Sequence, residues 1–234
     1  MTDPARSALD ALAQARVVQT SSTAERVADA VREQVVEGLL LPGVRLPEVA
    51  FCEALAVSRN TLREAFSQLI AERILAREQH RGVFVRTPGL ADVRDVYRVR
   101  RLVEPAAVRH GVQAQDPGAV KGLAAAVEEG RAAAAQQDWA GVADANQHFH
   151  RAVVGLAGSE RLDAQMALLL AEMRLIFHRV GVREDFHAPY LERNGTVADL
   201  VGQGRPDEAA GELDAYLADA EARIVAALDE PAGT

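Results

Sequence analysis

Apolar residues recur at helical spacing along most of this chain. Val27, Val31, Val35 and Leu39 fall on one side of a predicted helix that starts near Ala24. Gly38 and the turn Leu41-Pro42-Gly43 bring it to a halt. A second, short helix is predicted over residues 48–55, with Val49, Cys52 and Leu55 turned inward. After Ala56-Val57-Ser58 a third helix opens, striped by Leu62, Phe66, Leu69 and Ile70. Ser58 stands where an N-cap is wanted, because its hydroxyl can accept from an unpaired amide of the first turn. The pattern then changes to two short apolar runs, 74–78 and 82–86, around Gln79-His80-Arg81-Gly82. That is a predicted β-hairpin with a basic tip. Two short helices joined by a tight turn are the helix-turn-helix signature, and the hairpin supplies a wing.

Beyond residue 90 the pattern is helical throughout. Six segments are predicted at 91–113, 117–136, 138–157, 159–182, 187–203 and 206–229. Each break carries a Gly, a Pro or a capping side chain. No alternating run supports a sheet here, and helices with such Ala-, Leu- and Val-rich faces form a bundle. The predicted fold is mainly α: an N-terminal winged helix-turn-helix (three helices plus a small β-hairpin wing), followed by an all-α antiparallel helical bundle. The expected organisation is a flexible tail over 1–22, a winged helix-turn-helix over 23–86, a linker over 87–90 and a helical domain over 91–230.

Charge refines this division. The chain of 234 residues has a net charge of −8, which looks wrong for a DNA-binding protein. Residues 1–86, however, hold 11 arginines and 11 carboxylates, whereas residues 87–234 hold 15 basic and 23 acidic side chains. The surplus negative charge therefore lies outside the winged helix. A neutral DNA-binding unit needs its arginines gathered on one face and binds weakly as a single copy, so a homodimer spanning two half-sites is expected. One cysteine rules out a disulfide framework within the chain, and Cys52 reads as a small buried residue. No apolar run has the length of a membrane span and the N-terminus has no signal-peptide core, so a soluble cytoplasmic protein without membrane partners is expected.

Candidate chemistry begins at the third helix. Arg59, Asn60, Thr61 and Arg63 crowd its first turns, off the apolar stripe. Such side chains suit phosphates and base edges in a DNA major groove, although an ordinary solvated helix face would look the same in isolation. The run "EGLLLPGVRLPE", then "VSRNTLREAFSQLIAERIL", then "HRGVFV" resembles the DNA-binding domain of the GntR family of bacterial transcription regulators. That resemblance implies that Arg59 and Arg63 read an operator in double-stranded DNA, helped by Asn60 and Thr61, with the capping Ser58 also in the DNA-binding set. His80, Arg81 and Gly82 would touch the minor groove or its phosphates. A common family version has Thr-Pro where this chain has Asn60-Thr61, a difference expected to shift operator preference slightly.

The second half is similar to the FCD effector domain of the FadR branch, through "DVYRVRRLVEPAAVRHGV", "NQHFHRAVVGLAGSERL" and "GQGRPDEAAGELDAYL". Six helices place it nearer the VanR-like type than the seven-helix FadR-like type. The resemblance implies a dimerising bundle that holds a small organic-acid effector, often through a divalent metal on one carboxylate and three histidines. Here those positions are Asn146, His150, Asn194 and Tyr216. One imidazole and no carboxylate make a poor donor set, so no tightly bound metal or other cofactor is expected. Instead Asn146, His150, Asn194 and Tyr216 would bind the effector directly. Arg100 would clamp its carboxylate, or else pair on the surface with Glu104, Asp95 or Asp92; Glu104 would buttress Arg100 or cap a neighbouring contact. His148 is expected on another helix face, His178 and His187 at a pocket mouth or in a rerouted metal site with His150. Two other functions stay open: a ligand-blind architectural DNA binder, and an enzyme with His150 as base, although no nucleophile, base and orienter set is evident.

Overall fold

A computed structural model describes residues 22–36, 39–114, 117–181 and 184–229. The N-terminal part runs α1 (Thr23–Val36), β1 (Arg45–Leu46), α2 (Glu48–Leu55), α3 (Arg59–Ala71), β2 (Leu75–Glu78) and β3 (Gly82–Val85). Helix α1 opens on a capping box: Glu25 N donates to Ser22 Oγ at 3.1 Å, and Ser22 N donates back to Glu25 Oε2 at 2.6 Å. The predicted tail over 1–22 lies outside the described residues except for this capping Ser22, and so does Gly38. Val27, Val31 and Val35 are buried as expected, but Leu39 is 69% exposed. The helix ends at Val36, so the heptad-like spacing no longer points Leu39 at the core.

A similar correction applies to α2. Val49 is 53% exposed, and Phe51 takes the inward position, edge-on to Phe66 with centroids 6.0 Å apart. Cys52 and Leu55 are half-buried against the same core. Helix α2 ends on Ala56 in the left-handed region (φ 52°, ψ 43°), which turns the chain toward α3. The hairpin pairs Leu75 with Val85 and Glu78 with Gly82, and β1, a two-residue strand with no sequence signal of its own, joins the other edge of β3. Gly82, at φ +111°, closes the wing tip.

Helices α4 (Leu90–Ala114), α5 (Pro117–Ala135), α6 (Trp139–Gly155), α7 (Glu160–Val180), α8 (Glu184–Gly202) and α9 (Pro206–Asp229) form the bundle. Asp138 and Ser159 cap α6 and α7 through the amides of Gly141 and Leu162. Gly111 permits a close crossing of α4 and α6, since a Cβ there would collide with the Leu156 carbonyl. Phe149, Val153, Met173, Ile176, Val197, Leu213 and Leu217 belong to the bundle core.

The two cores share one helix. On α7, Met173, Ile176 and Phe177 face the bundle, while Ala171 and Leu175 are buried with Val27, Val31, Phe66 and Leu69 in the N-terminal core. Polar contacts reinforce the junction. Arg86 pairs with Asp92 at 2.5 Å and Glu172 at 3.3 Å, and Arg179 Nη1 donates to Pro88 O at 2.5 Å. His178 Nε2 lies 3.2 Å from Val35 O. His178 is thus bound to α1.

Candidate functional site

Two polar constellations stand out, one exposed on α3 and one buried in the bundle. On α3, Ser58 Oγ accepts from Thr61 N at 3.1 Å and lies 2.8 Å from Thr61 Oγ1. Ser58 and Thr61 therefore serve the cap, while Arg59, Asn60 and Arg63 project to solvent. Arg63 Nε donates to Glu48 Oε2 at 3.0 Å across the helix-turn-helix. At the wing, Arg81 pairs with Glu78 and stands 5.3 Å from the Phe84 ring centroid, and His80 occupies the turn at φ 62°. Exposed guanidiniums on a helix and a hairpin are fit to meet a polyanion's backbone and base edges.

The buried constellation joins four helices. Arg100 and Glu104 lie one turn apart on α4, with Arg100 Nε donating to Glu104 Oε1 at 2.6 Å. His150 of α6 contacts Glu104 Oε2 through Nδ1 at 2.7 Å, and its Nε2 lies 2.9 Å from the Tyr216 hydroxyl of α9. That hydroxyl is 2.9 Å from Asn146 Oδ1, which also accepts from Asn194 Nδ2 of α8 at 2.9 Å. Spacing i, i+4 places Asn146 and His150 on one face of α6, and the fold brings Asn194 and Tyr216 to that same face. Arg100 is 2% exposed and Glu104 0%, so the alternative of a surface ion pair for Arg100 is overturned. Asp92 and Asp95 are engaged elsewhere, with Arg86 and with Arg98. Glu104 does more than buttress Arg100, since it also joins the arginine to His150.

Charge in this cluster is balanced. Burial alone would push Glu104 up, but the Arg100 guanidinium and His150 outweigh it and hold the carboxyl below its usual range. Burial would lower Arg100, yet the adjacent Glu104 carboxylate raises it. For His150 burial dominates, and the imidazole is held below its ordinary value despite Glu104. Two buried polar atoms of the cluster have no hydrogen-bond partner, Arg100 Nη2 and Asn194 Oδ1. The donor set does not fit a divalent metal. It offers two amides, a phenol, one imidazole whose two nitrogens are already engaged at 2.7 and 2.9 Å, and the Glu104 carboxylate, already bound to Arg100 and His150.

The other histidines are dispersed. His148 is exposed and lies 2.9 Å from Glu129, and His178 faces α1. His187, expected at a pocket mouth or in a rerouted metal site with His150, is buried beside Phe177 and Phe186, with ring centroids 5.6 and 5.1 Å away. Burial, helped by Arg174, lowers its pKa to about 4. No group of three or more His, Cys, Asp or Glu side chains suited to a metal occurs among the described residues. Glu48 carries no local sequence signal, because its tie to Arg63 spans 15 residues and two helices.

A winged helix-turn-helix joined to a helical bundle defines a DNA-binding transcription regulator. The FCD domain family matches residues 95–219, and the bacterial regulatory proteins of the gntR family match residues 23–85. The chain belongs to the GntR family of transcription regulators, in the group that carries an FCD domain. It is 25% identical to the galactonate operon transcriptional repressor of Escherichia coli K12 over 203 residues, 78% of this chain and 88% of that protein. It is 28% identical to the Nta operon transcriptional regulator of Aminobacter aminovorans over 186 residues, 75% of this chain and 82% of that one. Among solved structures, a GntR transcriptional regulator from Rhodococcus sp. RHA1 matches with TM-score 0.79 at 42% identity, covering 88% of this chain and 99% of that one. Escherichia coli McbR/YncC shares the fold, with TM-score 0.74 at 19% identity over 88% of this chain and 98% of its own. No helix among the described residues is long and apolar enough to cross a membrane.

Proposed function

We propose that this regulator binds a two-fold operator as a homodimer and acts as a repressor whose grip on DNA changes when a small organic acid enters the bundle. Residues 23–86 read the DNA, 87–90 link, and 91–230 dimerise and bind the effector. Arg59, Asn60 and Arg63 contact base edges and phosphates from α3, with His80, Arg81 and Gly82 at the wing. The observation that carries the effector reading is the pair of unpartnered buried atoms, Arg100 Nη2 and Asn194 Oδ1, in a cluster otherwise closed on itself. Buried polar groups are nearly always satisfied, so these two mark where a polar ligand completes the network. A carboxylate would meet Arg100 Nη2 directly, without a metal. That a relative regulates an operon named for galactonate, itself an organic acid, agrees with this ligand class.

The route from site to DNA is short. Tyr216 stacks on Tyr190 with centroids 5.1 Å apart, Tyr190 meets Phe186, and Phe186 meets Phe177 of α7 at 5.9 Å. Leu175, two residues along, is buried in the N-terminal core. A ligand that displaces Tyr216 therefore biases the seat of the winged helix through α7.

The test is a panel of small mono- and dicarboxylates, read by thermal midpoint and by operator affinity. At least one acid is expected to raise the midpoint and change DNA affinity in the native protein. Asn194→Ala should lose both responses and keep operator binding. If nothing in the panel moves either quantity, the chain is a ligand-blind DNA binder; a monomer by sedimentation in the presence of operator would remove the two-fold reading.

A further inference from the structure

The two arginines on the DNA-reading helix are not equivalent. Arg59 makes no ion pair among the described residues, whereas Arg63, one turn later, is tied to Glu48. Glu48 is the first residue of α2, so the tie crosses from one arm of the helix-turn-helix to the other. It engages only Nε of Arg63, and the side chain stays 58% exposed. A guanidinium is a rigid planar fork with five N–H donors. Held by Nε, it keeps both terminal nitrogens free and its plane oriented.

We propose that Glu48 is a positioning residue for DNA recognition: it orients Arg63 so that its two terminal nitrogens meet O6 and N7 of one guanine in the major groove. The proposal rests on α3 being the helix that reads DNA. Arginine paired to guanine by two parallel hydrogen bonds is the geometry this free edge matches. Tethering removes rotamer freedom before binding, so less is lost when the contact forms. The carboxylate itself repels phosphates of any sequence equally, which weakens non-specific binding. Glu48 thus raises the ratio between cognate and non-cognate DNA by geometry, while its charge lowers the affinity for both alike.

The full-length protein is tested against an operator recovered by selection from random duplexes, its single-base-pair variants and an unrelated duplex. Glu48→Ala should lose about tenfold of the discrimination at one G·C pair of each half-site, on the scale of a bidentate base contact. Its affinity for the unrelated duplex should rise. Glu48→Gln keeps an oxygen acceptor for Arg63 Nε but lacks the charge; it should bind all duplexes more tightly and retain the discrimination. Arg63→Ala should lose the same base preference, and adding Glu48→Ala to it should change that preference no further. Full discrimination in Glu48→Ala would overturn the proposal. So would a uniform loss on all duplexes with a lowered thermal midpoint, which would make Glu48 a brace between helices. If Arg63→Ala keeps the preference at every base pair, the reading of α3 fails as well.

Discussion

Arg63 and Arg100 each bind one carboxylate through Nε, at 3.0 and 2.6 Å, yet they live in opposite surroundings. Arg63 is more than half exposed, and water screens its pairing with Glu48. Arg100 and Glu104 lie out of water in the bundle, where neither can lose the other without leaving a bare charge. The exposed arginine is available to a partner because its tether engages Nε and leaves both terminal nitrogens free. The buried arginine is committed through Nε to Glu104, and its Nη2 has no partner. On the proposed reading, DNA recognition and effector recognition use one side chain in two electrostatic regimes, the first sensitive to salt and the second hardly at all.

The strongest way to break this contrast is Glu104→Ala. Removing one partner of the buried pair is expected to destabilise the protein by about 3–5 kcal/mol, read by chemical denaturation. The same cut at the surface, Glu48→Ala, should change stability by less than about 1 kcal/mol. Near-equal losses would erase the distinction.

Acid probes the interior next. His187 has its folded pKa lowered to about 4, so the unfolded chain binds more protons between its ordinary range near 6.5 and that value. Its contribution to stability is present above about pH 6.5 and is lost as pH falls toward 4. His187→Gln should flatten the dependence of the thermal midpoint on pH in that window, and an unchanged slope would place the imidazole in water.

On the DNA side, Arg59→Ala should cost about 1–3 kcal/mol of operator affinity while leaving the midpoint in place. A midpoint that fell in parallel would turn Arg59 into a structural residue. A small effect is expected at the turn between α2 and α3. Ala56 holds a left-handed conformation that disfavours a Cβ, so Ala56→Gly should stabilise the protein by about 1 kcal/mol without altering base preference.

Much of this architecture follows from local rules. Helical periodicity, Ser58 and Ser159 as caps, and the basic turn of the wing located the helix-turn-helix and the six bundle segments, because each is a property of neighbouring residues. The error at Leu39 arose where a helix stopped one turn early, and the error at Val49 where an eight-residue helix is too short for periodicity to choose its face. Strand β1 has two residues and exists only because β3 offers it an edge.

The sequence by itself determined which residues are chemically able to act: arginines at the head of α3, and one histidine among amides and a phenol where a metal site would need more. Proximity was beyond its reach. That Glu104 joins Arg100 to His150, that Glu48 holds Arg63, that His178 turns to α1 and that α7 serves two cores depend on contacts between distant segments. Such contacts form when whole helices pack to exclude water, and burial then sets both the partners and the charge state of every polar group enclosed.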